Sequence, residues 1–134
     1  MRIYCKTVKI MEKIVSIRGA ITVVDNSVKE IKTATITLIK ELFNQNKLDK
    51  SKITNIIFTV TDDLDEINPA TITREEFKLE LIPMLCLQEM KLKNGLPRCI
   101  RVMVNVQSEL TKEQVKHTYL GKASNLRPDL DMKY

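Results

Sequence analysis

Three arginines interrupt segments that are otherwise β-prone or lie beside a proline: Arg18 within Ile14–Val24, Arg101 within Arg98–Val106, and Arg127 in the string Leu126-Arg127-Pro128-Asp129. Glu89 and Tyr119 join them as an acceptor and a hydroxyl. A guanidinium is a planar, permanently charged fork suited to carboxylates, so this set fits an anionic small molecule. Each residue also has an ordinary structural explanation. An arginine pairs with a nearby Asp or Glu, Glu89 is a solvated charge at a strand end, and Tyr119 is a half-buried strand residue with its hydroxyl in water. Other chemistries find less support. Cys86 or Cys99 near His117 would give a thiol nucleophile if the fold joined them, but a buried cysteine behaves far more often as a small hydrophobe. The acidic run Asp62–Glu66 lacks the glycine and terminal Glu of a calcium loop and reads as a solvated connector. Carboxylate-pair hydrolysis has no supporting spacing.

The elements that must position these groups follow from hydrophobic period and turn chemistry. Ile14–Val24 is β-branched and reads as a strand. Ser27-Val-Lys-Glu30 is a capping box, followed at helical spacing by Val28, Ile31, Thr35, Leu38, Ile39 and Leu42, which predicts one long amphipathic helix ending near Asn46. Ile53–Thr61 is a second strand, and Asn68-Pro69 opens a short helix reaching about Phe77. Leu81–Leu87 reads as a third strand, placed at an edge or bulge by Pro83, and Asn94-Gly95 predicts a hairpin-like return into the next strand. From Arg98 to Val106 the period is two. Ile100, Val102, Val104 and Val106 share one face; Cys99, Arg101, Met103 and Asn105 share the other. Thr111 can cap a turn, Val115–Leu120 can form a fifth strand, and Pro128 forbids a helix in the tail. The order β-α-β-α-β-β-β predicts an α+β fold: a mixed sheet with one long and one short helix on one face. The second sheet face is too polar for a core and too apolar for open water, so it is expected at subunit contacts of a symmetric oligomer.

Composition sets further bounds. The 134 residues, 43% hydrophobic and 29% charged, suit one domain. Residues 1–10 form a basic prefix ahead of Met11; an upstream start, an appended remnant and a mobile arm all remain open, and residues 11–134 form the domain. Three glycines cannot build a Gly-rich phosphate loop or dinucleotide fingerprint. One histidine and three cysteines without a Cys-x-x-Cys pair offer no zinc spacing, so neither metal nor cofactor is expected. The longest apolar run falls well short of the ~20 residues of a membrane helix, and scattered, odd-numbered cysteines suit reduced thiols in the cytoplasm. The net charge of +5 owes three charges to Arg2, Lys6 and Lys9, and with six aromatics and no Arg-rich stripe a nucleic-acid surface is not expected.

Further strings lie in order along the chain: Ile17-Arg-Gly-Ala20 with Thr22-Val23, Thr61-Asp-Asp-Leu64, Asn68-Pro-Ala70, Cys86-Leu-Gln-Glu-Met90, Gly95-Leu, Cys99-Ile-Arg-Val-Met103, His117-Thr-Tyr-Leu120 and Leu126-Arg-Pro-Asp-Leu130. Together, from about Lys13 to Leu130, they resemble the trimeric, AroH-type chorismate mutases. The resemblance implies a homotrimer shaped as a pseudo-α/β barrel, active sites in clefts between subunits, and rearrangement of chorismate to prephenate in aromatic amino-acid biosynthesis. It also implies roles. Arg18 and Tyr119 hold a substrate carboxylate, Glu89 and the Cys86 backbone N–H engage the ring hydroxyl, and Arg101 points at the ether oxygen. Ala70 and Arg74 come from the adjacent subunit, and Leu126 and Arg127 close over the cleft.

Two departures stand out. The family pattern has an aromatic before Pro-Ala and a Lys after it, where this chain has Asn68 and Thr71; this touches substrate affinity, although both residues can simply cap and start the short helix. Two other readings follow from the same residues. One is a non-enzymatic trimeric module that binds an anionic metabolite. The other is an imine deaminase on a similar trimeric interface, against which the Cys86–Met90 and Leu126–Asp129 strings argue.

Overall fold

The computed structural model describes residues 11–125. Five strands form one sheet: β1 (Lys13–Thr22), β2 (Ile53–Val60), β3 (Met84–Gln88), β4 (Cys99–Ser108) and β5 (Thr118–Leu120), in the order β3-β2-β4-β1-β5. β4 runs antiparallel to both β1 and β2, while β2–β3 and β1–β5 are parallel. The mixed sheet and two helices, α1 (Val28–Asn46) and α2 (Pro69–Glu76), match the architecture read from the sequence.

The helix-facing side of the sheet is apolar at every second residue. Ile17, Ile21, Ile56, Phe58, Ile100, Val102, Val104 and Val106 meet Ile31, Leu38, Ile39 and Leu42 of α1 and Ile72 of α2 in one continuous core. α1 starts at Ser27, whose side chain accepts from Glu30 N at 3.1 Å. The expected capping box is half formed, because Ser27 N–H donates to the Asp25 carbonyl rather than to Glu30. The helix ends at Lys47 in the left-handed region, where Lys47 and Leu48 N–H groups satisfy the carbonyls of Asn44 and Phe43. Val28, read as part of the apolar stripe, is exposed. Gly19 lets the helix come close to the sheet. A Cβ there would lie 3.0 Å from the Thr118 carbonyl oxygen and 3.1 Å from methyl carbons of Leu38 and Leu42.

Three expectations are corrected. The hairpin return from the third strand does not form: β3 pairs with β2 alone, and β4 lies on the far side of β2. Gly95 does close a turn, its N–H donating to the Leu92 carbonyl, but a turn fixes a local reversal and not the strand that follows as a neighbour. The acidic run is also more than a solvated connector. The Asp63 carboxylate accepts the Arg98 N–H at 2.9 and 3.1 Å, Thr61 and Cys99 exchange hydrogen bonds, and Asp65 is held by Asn26. These bonds pin the start of β4, where Arg98 adopts a positive φ of 47°. β5 is shorter than expected, because residues 111–115 close a turn in which Val115 N–H donates to the Thr111 carbonyl.

Candidate active site

The face of the sheet away from the helices is organised by register. Residues directly opposite on neighbouring strands share a face. One row therefore runs Leu87, Thr59, Arg101, Ala20, Tyr119 across β3, β2, β4, β1 and β5. The next row runs Leu85, Ile57, Met103, Arg18 over the first four strands. Arg18 and Arg101 thus stand one row apart on adjacent strands. Arg18, Ile57, Thr59, Arg101 and Met103 line a cavity of about 180 Å³.

Glu89 follows β3, and its N–H donates to the Val60 carbonyl at 2.8 Å, continuing the ladder. That keeps its side chain on the same face as Leu85 and Leu87. Its carboxylate meets Arg101, with Nη2 donating to Oε2 at 3.2 Å and Nε lying 2.9 Å from Oε1. The Nε–H itself makes no hydrogen bond and has no exposed surface. It stays within the ion pair with Oε1 but poorly aligned to it, and a ligand oxygen placed beside it would accept from it. The Thr59 hydroxyl donates to Oε1 at 3.4 Å. The ordinary explanation of a lone arginine, a structural acid partner, therefore holds for Arg101, and that partner is the other expected site residue. Among the described residues, no carboxylate lies within ion-pair distance of Arg18.

The remaining expected residues divide. Tyr119 closes its row, buried against Ala20, Cys99, Ala123 and Leu96 rather than half-exposed. The Cys86 side chain shares a face with Phe58, on the core side. With Ile56 N–H on the Pro83 carbonyl and Glu89 N–H on that of Val60, the alternation of the parallel ladder turns the Cys86 N–H outward at the sheet edge. Ala70 and Arg74 belong to α2, on the helix layer behind the sheet, where Ala70 is part of the core. Asn68 caps α2, its Oδ1 accepting from Ala70 N at 2.8 Å. Leu126 and Arg127 lie outside the described residues.

Thr59, Ile57, Leu85 and Leu87 were not singled out from the sequence. Their alternation was visible, but which face of the second and third strands joins that of Arg101 depends on register. The thiols are poor nucleophiles. Burial pushes Cys86 upward and Cys99 up to about 11, so both stay protonated near neutral pH. Among the described residues there is no cluster of metal-ligating side chains, and no helix is long and apolar enough to cross a membrane.

Among the described residues the site is thus a cationic patch with one carboxylate, set on the open face of a small mixed sheet, with its two thiols held protonated. Comparison with known proteins gives this description a family. The model of chorismate mutase type I matches residues 14–130. Chorismate mutase AroH of Bacillus subtilis (strain 168) is 36% identical over 116 residues, covering 87% of this chain and 91% of the relative. The same-named protein of Thermus thermophilus is 35% identical over 116 residues, covering 86% and 94%. A solved chorismate mutase from Clostridium thermocellum superposes with a TM-score of 0.78 at 40% identity, over 81% of this chain and 96% of that one. The chain belongs to the chorismate mutase type I family.

Proposed function

We propose that the chain is a chorismate mutase that converts chorismate to prephenate at the Arg18–Glu89–Arg101 face. The reaction is a [3,3] rearrangement: the ether C–O bond breaks, a C–C bond forms between the side-chain methylene and the ring, and no proton moves. It needs a pre-folded substrate and a complementary field. A site with charges but no activated nucleophile suits it.

Arg18, unclaimed by any described carboxylate, takes a substrate carboxylate with Tyr119 and so restrains a flexible dianion in its reactive chair. Arg101 aims at the ether oxygen, where negative charge grows as the bond breaks. Its guanidinium, held by the Glu89 carboxylate on the face it shares with Arg18, is the observation that carries this assignment. A fixed guanidinium there stabilises the transition state more than the ground state. Glu89 holds Arg101 in place and, with the outward Cys86 N–H, takes the ring hydroxyl while balancing positive character on the ring.

The cavity of one chain is small, at about 180 Å³, against several hundred for a typical ligand site. A second copy supplies the missing wall. Ala70 and Arg74, on the helix layer, cannot serve the Arg101 of their own chain, whereas a neighbour in a homotrimer presents them to it. Exposed Leu85 and Leu87 beside the site suit burial in that contact. Leu126 and Arg127 complete the cleft from the tail. Two free thiols, Cys86 and Cys99, suit the cytoplasm.

Ultraviolet assay of chorismate loss, with prephenate identified as product, tests the reading. Saturable turnover far above the buffer rate is expected. Binding of a transition-state analogue without turnover would instead favour the anion-binding module.

A further inference from the structure

The tie between β5 and β1 at Arg18 is made by a side chain. β5 has three residues, and its parallel ladder pairs Gly19 with Thr118, Ala20 with Tyr119 and Ile21 with Leu120. Continued by one residue, that ladder would take the Arg18 N–H to the Lys116 carbonyl. The carbonyl is already engaged. Asn46, the buried last residue of α1, grips the Lys116 backbone from both sides, its Nδ2 donating to Lys116 O at 2.9 Å and its Oδ1 accepting from Lys116 N at 2.8 Å. The Arg18 N–H donates instead to Nδ1 of His117, at 2.9 Å. The ring nitrogen that accepts an N–H carries no proton itself, so the bond selects the tautomer protonated at Nε2.

We propose that His117 is a positioning residue for substrate binding, its Nδ1 fixing the strand that bears Arg18 against the strand that bears Tyr119. The proposal rests on the assignment above of Arg18 and Tyr119 to one substrate carboxylate. Two groups from different strands that grip the same anion must keep their separation to within roughly 0.5 Å. A three-residue ladder at the sheet edge is the kind of element that opens first. His117 adds a fourth tie next to Arg18 and two residues from Tyr119, and Asn46 anchors the backbone of that tie to the long helix. The Arg101–Glu89 ion pair is made by other charges of the site, so the proposed effect of His117 and Asn46 belongs to carboxylate binding and not to the breaking bond.

The test compares His117→Phe, which keeps a ring and loses the acceptor, with His117→Asn, whose Oδ1 occupies the branch of Nδ1. In His117→Phe, KM for chorismate should rise on the order of 10-fold while kcat changes by less than about 3-fold; His117→Asn should restore KM to within about 3-fold of wild type. A normal KM in His117→Phe, equal impairment of both variants, or a loss confined to kcat overturns the proposal. Hydrogen exchange at the Arg18 amide, read in the same proteins, should be fast in His117→Phe and slow in His117→Asn; slow exchange in both also overturns it. His117→Leu replaces the Phe variant if that one does not fold. A wild type inert to chorismate would instead sink the substrate assignment, and the Arg18 amide would still report whether Nδ1 holds the strand.

Discussion

In the proposed reaction the two members of the Arg101–Glu89 ion pair do different work. Charge alone is not what the ether oxygen needs; the donor must sit where charge develops and stay there without reorganising. Arg101→Ala should therefore lower kcat on the order of 10²–10³-fold, with far less effect on KM, as steady-state kinetics will show. Glu89→Gln keeps the shape and removes the balancing charge, and it should also lower kcat. Cys99 offers a separate test of burial. Its thiol, raised from 9.0 to about 11 by desolvation, favours the neutral form in the folded protein. That stability is fully present below pH 9.0 and is lost as pH rises through about 11. Urea unfolding should show wild type losing roughly 2–3 kcal/mol more over that window than Cys99→Ala. Equal pH slopes would mean that Cys99 is not desolvated.

Elements position these residues through a few tight contacts. At Gly19, where α1 crosses β1, an added methyl meets the Thr118 carbonyl and two leucine side chains at once. Gly19→Ala should cost about 1–3 kcal/mol in chemical denaturation, and because Arg18 is the next residue it should also raise KM. The long helix, the first strand and the fourth strand were legible in the sequence, the helix from its 3.6 period and capping serine, the first strand from its β-branched residues and the fourth from its period of two. β5 was read in place but begun three residues too early, because its start is set by the turn at 111–115 and by Asn46 claiming Lys116, neither of which leaves a periodic signature. The false hairpin also came from a local signal: Asn94-Gly95 reports a bend, whereas β3 pairs in parallel with β2 through a crossover that contains α2. At the site, Arg101 and Arg18 were visible as cations on β-prone segments. That Glu89 is the acid that meets Arg101, and that Thr59 lies beside them, follows from register across three strands and was beyond local pattern.

The described residues form a layered sheet with the helices on one side and the candidate chemistry on the other, which leaves the proposed cleft to be completed by a neighbour. Sedimentation equilibrium should give three times the 15.5 kDa chain mass, and introducing charge by Leu85→Asp should lower both mass and turnover; full activity in a monomer would contradict the shared cleft. Thr71, on α2, stands where the resemblance read from the sequence implies a lysine. Thr71→Lys should lower KM by adding a cation near a dianion, with kcat nearly unchanged, whereas an unaltered KM would place Thr71 away from the substrate. The most direct measurement is chorismate turnover by Arg101→Lys beside wild type, both verified as the same oligomer. Lysine keeps the charge but shortens and reshapes the donor, so kcat should fall by about 10²-fold or more. Full activity in that variant would show that no oriented guanidinium is needed at the breaking bond.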